Sequence, residues 1–161
     1  MNADTLSGYV RKYHTSMFRL AFSYVRNRED AEDIVQDAFL KLYCCEIVFE
    51  TEQNMKAWLI RVTINLCKDM LRSSARRLRN ELITDIPTAP PEAGGIAEYI
   101  TRLKPEQSSM IYLYYYEGYS VKEIAKLCRM TVSAVTTRLS RARKQLREML
   151  SKEEEYENQS E

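Results

Sequence analysis

Between Asn80 and Gly95 the chain carries what no continuous helix tolerates: Pro87, Pro90, Pro91, Gly94 and Gly95 fall within a few residues. Proline removes a backbone donor and clashes with the preceding turn, and glycine raises the entropic cost of order. On either side, apolar residues recur at steps of three and four, and no strand or internal repeat is legible. This punctuation divides an all-α chain into two small helical domains joined by a flexible linker, the second of them a helix-turn-helix. The expected boundaries are residues 1–79, a linker over 80–95, a second domain over 96–152 and an acidic tail over 153–161. A length of 161 residues leaves each half room for only a modest core.

The second half is organised around Ser120 to Arg147, SVKEIAKLCRMTVSAVTTRLSRARKQLR. Gly118 closes the preceding segment, and Ser120 with Glu123 forms a capping box at a new helix start. Val121, Ile124, Ala125 and Cys128 then mark one buried face. Thr131 or Ser133 caps a further helix with Val135, Leu139, Ala142 and Leu146 inside and Thr136, Thr137, Ser140, Arg141 and Lys144 outside. A short helix, a turn and a helix presenting hydroxyls and cations is the arrangement that enters a DNA major groove. Upstream, a short helix runs from Ile96 to Leu103. Another opens at Pro105, where the missing N–H costs nothing, and continues through the Tyr115–Tyr116 pair to Glu117.

In the first half, Leu6, Val10, Tyr13, Met17, Leu20 and Tyr24 define a helix over about Thr5 to Tyr24, with Asp4 as its cap. Asn27 caps the next helix, with Glu29 and Asp30 in its first turn and Ala31, Ile34, Val35, Ala38 and Leu42 inside. Asp33, Gln36, Asp37 and Leu40 lie on another face. Cys44 to Asn54 has no period and reads as a loop. Met55 to Arg79 is the longest helix, with Ala57, Ile60, Ile64, Cys67 and Leu71 as one stripe. Trp58, Leu59, Val62, Leu66 and Met70 widen that stripe. Trp58 belongs to the core rather than to a base stack. The remaining strip, Arg61, Asn65, Lys68, Arg72 and Arg76, suits a phosphate backbone.

Composition excludes more than it selects. Net charge is +1, but the cations gather at Lys56 to Arg79 and at Arg129 to Lys152, as two contacts on one polyanion would require. Acids gather at Glu29 to Asp37 and in the tail. The four cysteines lack zinc-ligand spacing and His14 is the only histidine, so no metal or cofactor is expected and the thiols read as buried and structural. No nucleophile-and-base pair is recognisable, so the chain is not expected to be an enzyme. It shows neither a signal peptide nor a run long enough to span a bilayer, which predicts a soluble, cytoplasmic protein.

Three stretches carry a family resemblance. NREDAEDIVQDAFLKLY (27–43), MKAWLIRVTINLCKDMLRSSARR (55–77) and LKPEQSSMIYLYYYEGYSVKEIAKLC…AVTTRLSRARKQLREML (103–150) resemble, in order, the polymerase-docking helix, the −10 and promoter-melting helix and the −35-binding domain of extracytoplasmic-function sigma factors. These are the smallest type in the bacterial sigma-70 family. The resemblance implies a protein that binds core RNA polymerase and directs promoter-specific initiation. Asp33, Gln36, Asp37 and Leu40 would meet the clamp helices, and the −35-binding domain the flap. Arg61, Asn65, Lys68, Arg72 and Arg76 would follow promoter DNA near −10. The loop Cys44 to Asn54 would capture a flipped base. Thr136, Thr137, Ser140 and Arg141 would read −35 base edges, with Arg141 as the bidentate guanine donor. Arg138, Arg143 and Lys144 would hold phosphates or pack as helix-end cations. In the family the linker passes near the polymerase active centre, and an anti-sigma factor commonly holds the protein inactive.

The chain departs from the family at the helix-turn-helix turn, where Arg129 stands in place of glycine, and at Ser133 and Ala134, where glycine and threonine are usual. A left-handed non-glycine residue costs about 1 kcal/mol, which predicts a different turn. Three other readings compete. A free-standing helix-turn-helix regulator would leave the acidic helix unexplained. A metal-dependent enzyme built on residues 29–37 lacks a convergent histidine. A structural adaptor would have no DNA affinity at low salt.

Overall fold

The computed structural model describes residues 1–78 and 95–160, with side chains through Ala75 in the first stretch. Most of the expected linker and the side chain of Arg76 therefore lie outside the described residues. Two compact units, Met1–Thr88 and Ala89–Glu161, divide the chain. Every regular element among the described residues is helical.

The first unit packs three helices, each against the other two. They are α1 (Ala3–Val25), α2 (Arg28–Cys44) and α3 (Glu52–Leu78). Helix α1 starts two residues before the expected Thr5, because Asn2 rather than Asp4 is the cap: its side chain accepts from the Thr5 N–H at 2.8 Å. Asp4 sits in the first turn, where a negative charge suits the helix dipole. Asn27 caps α2 as expected, accepting from the Asp30 N–H at 3.0 Å. Helix α3 begins three residues before Met55. The Thr51 hydroxyl caps it by accepting from the Asn54 N–H at 3.1 Å, so the connecting loop is shorter than Cys44 to Asn54. Met17, Leu20, Ile34, Leu42, Leu59, Ile60 and Ile64 fill the centre, each at most 2% exposed.

The second unit has α4 (Ile96–Thr101), α5 (Pro105–Ile111), α6 (Val121–Cys128) and α7 (Val132–Gln159), with α4, α5 and α6 all packing on α7. Helix α4 stops short of Leu103 because Lys104, before Pro105, is held extended at ψ 146°. Leu103 is still buried. Beyond Ile111 the expected helix continues but widens into a π-helical turn, Tyr112–Tyr116, where the Glu117 N–H reaches back five residues to the Tyr112 carbonyl at 3.1 Å. Gly118 leaves it at φ 74°, a conformation that costs glycine nothing.

The acidic tail continues α7, which runs unbroken to Gln159, because Lys152 and the glutamates are good helix formers and no glycine or proline intervenes. One expectation is corrected here: not all thiols are buried, since Cys67 and Cys128 are but Cys44, the last residue of α2, is exposed.

Candidate nucleic-acid and polymerase interfaces

The turn between α6 and α7 fixes what α7 can present. Ser120 and Glu123 form the expected capping box, with reciprocal bonds of 3.2 and 2.7 Å. The Ser120 backbone N–H holds the Glu123 carboxyl below its ordinary pKa. Arg129 stands at the end of α6. It adopts the left-handed conformation itself, at φ 53° and ψ 50°. The Met130 N–H bonds the Ala125 carbonyl at 2.9 Å and the Arg129 N–H reaches Lys126, which together offset the strain as glycine would otherwise avoid it. Thr131, one of the two expected caps, then starts α7 by accepting from the Ala134 N–H at 3.1 Å.

Helix α7 separates its faces cleanly. Val135, Leu139, Ala142 and Leu146 are buried, while Thr136, Thr137, Ser140, Arg141 and Lys144 are exposed. Thr136 donates its hydroxyl proton to the Val132 carbonyl at 2.9 Å, which leaves its oxygen as an acceptor. The side chains of Thr137, Ser140, Arg141 and Lys144 have no hydrogen bond or ion pair among the described residues. Two other cations are engaged within their own unit. Arg138 is half-buried with Nη1 3.5 Å from the Met130 sulfur. Arg143 donates from Nε to the Tyr115 hydroxyl at 2.7 Å.

On α3 the cationic strip is less uniform than its spacing implies. Asn65 and Lys68 are exposed. Arg61 is half-buried, and its Nε is shut from solvent with no partner among the described residues. Arg72 is exposed but paired with Asp69 one turn back. The start of α3 is tied to α1, since the Glu52 carboxylate accepts from Lys12 Nζ at 2.6 Å and from the Tyr13 hydroxyl. Those two bonds lower the Glu52 pKa. Trp58 is half-buried with Phe49 edge-on at 5.7 Å, so an aromatic pair anchors one end of the loop. Ile47 and Val48 stand out from that loop, 53% and 91% exposed.

On α2, Asp33, Gln36, Asp37 and Leu40 share one exposed face, with the apolar Leu40 at 59%. Sequence reasoning passed over Tyr43. At 46% exposure and three residues past Leu40, it extends this face by a turn, and the i, i+3 step from Leu40 was the available signal. Neighbouring Glu32 instead meets His14 of α1 at 3.1 Å. Among the described residues no group of acidic, cysteine or histidine side chains is placed to hold a metal ion, and no helix is long and apolar enough to cross a membrane.

Residues 9–77 match the family model for sigma-70 region 2, and residues 94–146 that for sigma-70 region 4. The chain is 30% identical over 161 residues to the ECF RNA polymerase sigma factor SigE of Mycolicibacterium smegmatis, covering 89% of this chain but only 60% of that protein. It is 28% identical to the RNA polymerase sigma factor SigV of Bacillus subtilis, covering 90% of each. Among solved structures it resembles the sigma factor RpoE bound to the anti-sigma factor NepR, from Bartonella quintana, with a TM-score of 0.78 over 92% of this chain and 98% of that one. At 24% identity, that last likeness speaks for the fold alone.

Proposed function

We propose, from the premise that this chain belongs to the extracytoplasmic-function branch of the sigma-70 family, that it binds core RNA polymerase and directs promoter-specific initiation through −10 and −35 elements. The observation that carries the reading is the pairing, on one chain, of an outward acidic and apolar face on α2 with an outward hydroxyl and cation face on α7. A free-standing operator-binding protein needs the second and has no use for the first.

In this reading Asp33 and Asp37 meet a basic partner surface and set register, while Leu40 and Tyr43 supply apolar contact. The partner is the clamp helices of the polymerase, and the second unit takes the flap. Asn65 and Lys68, with Arg72 and Arg76, follow the −10 backbone. The loop between α2 and α3 receives a flipped base, with exposed Ile47 and Val48 to cover it. Thr137, Ser140 and Arg141 read −35 base edges, Arg141 by its bidentate fork. Thr136 joins them as an acceptor. Lys144 holds a phosphate. Two units on one chain make each other's binding effectively intramolecular, so individually weak contacts yield a selective complex.

The protein acts by binding, and the chemistry belongs to the polymerase, which places its work in the cytoplasm. An anti-sigma factor is its expected inhibitor, and constitutive full activity in cells would count against that. The α2 assignment is tested by capturing core polymerase on the immobilised chain. Asp33→Ala with Asp37→Ala should weaken capture while leaving the fold intact, and undiminished capture would remove α2 from the interface.

A further inference from the structure

Arg143 belongs to the cationic run of α7, yet its side chain is committed inside its own unit. Nε donates to the Tyr115 hydroxyl at 2.7 Å. The guanidinium carbon lies 5.5 Å from the Tyr114 ring centre and 5.6 Å from that of Tyr115. The two rings themselves meet edge to face at 4.9 Å, so the guanidinium completes a cluster of three groups rather than resting on one ring. Both tyrosines sit in the π-helical turn Tyr112–Tyr116. Arg143 thereby ties that turn to the middle of α7. At about 100° per residue, a step of two places it nearly opposite Arg141 around the helix. It is half-buried where Arg141 is exposed.

We infer that Arg143 is a positioning residue for −35 recognition, pegging α7 to the tyrosine turn without touching DNA. This rests on reading α7 as the −35 helix. The buried aliphatic seam of α7 sets its distance from its neighbours through apolar contact, which is itself non-directional. A planar guanidinium held by one hydroxyl, with its carbon 5.5 and 5.6 Å from two ring centres, adds direction. Bidentate base contacts depend on direction, since a side chain off by a few tenths of an ångström or some tens of degrees loses one of its two bonds. The peg therefore bears on discrimination between sequences more than on overall affinity.

The test uses the full chain assembled with core RNA polymerase, on a promoter selected from a library and on copies with substituted −35 base pairs, across a salt series. Arg143→Ala should lower discrimination between the two DNAs by about fivefold or more while leaving the slope of log affinity against log salt unchanged. Lys144→Ala, a phosphate contact, should weaken both DNAs alike and reduce that slope by about one. Tyr115→Phe keeps both rings and removes the acceptor, so it should reproduce part of the discrimination loss. Combined with Arg143→Ala it should add nothing. A slope reduced by about one in Arg143→Ala, unchanged discrimination, or additive losses in the double variant would each overturn the peg. Should Arg143→Ala fail to fold, full discrimination in Tyr115→Phe would overturn it alone. A wild-type holoenzyme that ignores the −35 substitutions overturns the −35 reading and the peg with it. A selective wild type with an equally selective Arg143→Ala overturns only the peg.

Discussion

Helices α3 and α7 carry similar runs of lysine and arginine, and the structure treats them differently. On α7, Arg138 and Arg143 find partners in their own unit while Arg141 and Lys144 point to solvent. On α3 the outward strip itself is compromised. Arg61 has lost solvent around Nε, and Arg72 is paired with Asp69. Helix α3 packs against both α1 and α2, and the wide apolar surface this requires narrows the strip left for charge. Counting cations along a sequence thus overstates the charge α3 can give to DNA. In the proposed reading α3 follows a backbone loosely, while α7 keeps the free donors that base reading needs.

The sharpest way to break this contrast is to remove one free donor. Arg141→Ala should cost about 1–3 kcal/mol in holoenzyme binding and relax selectivity at one −35 position; an unchanged footprint on −35 variants would deny α7 its reading role. Next in size is Arg61→Ala. Its half-buried stem packs on the bundle, so its loss should lower unfolding stability in urea by about 1 kcal/mol, whereas Lys68→Ala should stay within about 0.5 kcal/mol. Equal losses would mean that the two cations are equally free. Asp69→Asn should release Arg72 and tighten DNA binding at low salt by less than about 1 kcal/mol, and weaker binding would contradict the pairing.

The packed face of α3 gives the gentlest test. Burial pushes the Cys67 thiol up to about 12, so the folded chain at pH 8 should label at exposed Cys44 and not at Cys67. The unfolded thiol ionises near 9.0, so this contribution to stability is complete below pH 9 and is lost as pH rises toward 12. Rapid labelling of Cys67 in native protein would show that α3 is not packed as described.

What was legible in the chain was whatever rests on period and capping chemistry. The buried seam of α7, the Ser120–Glu123 box, the Asn27 cap and Pro105 at a helix start all follow from local rules. The misplaced starts of α1 and α3 arose because Asn2 and Thr51 precede any apolar repeat, so nothing but the cap itself signals them. Arg129 shows a local penalty absorbed by backbone bonds that composition does not display. The pairing of Arg143 with Tyr115 spans 28 positions, beyond what helical spacing can express. For the same reason the unequal freedom of Arg61, Lys68 and Arg72 could not be read from a regular stripe.

Run-off transcription with core bacterial RNA polymerase, on a library of promoter fragments with and without this chain, tests the central claim most directly. Discrete transcripts that appear only with the chain present, from fragments sharing two spaced elements, are the predicted result. Sequence-specific DNA binding in the absence of core enzyme, with no transcript in its presence, would contradict it and point to a free-standing regulator.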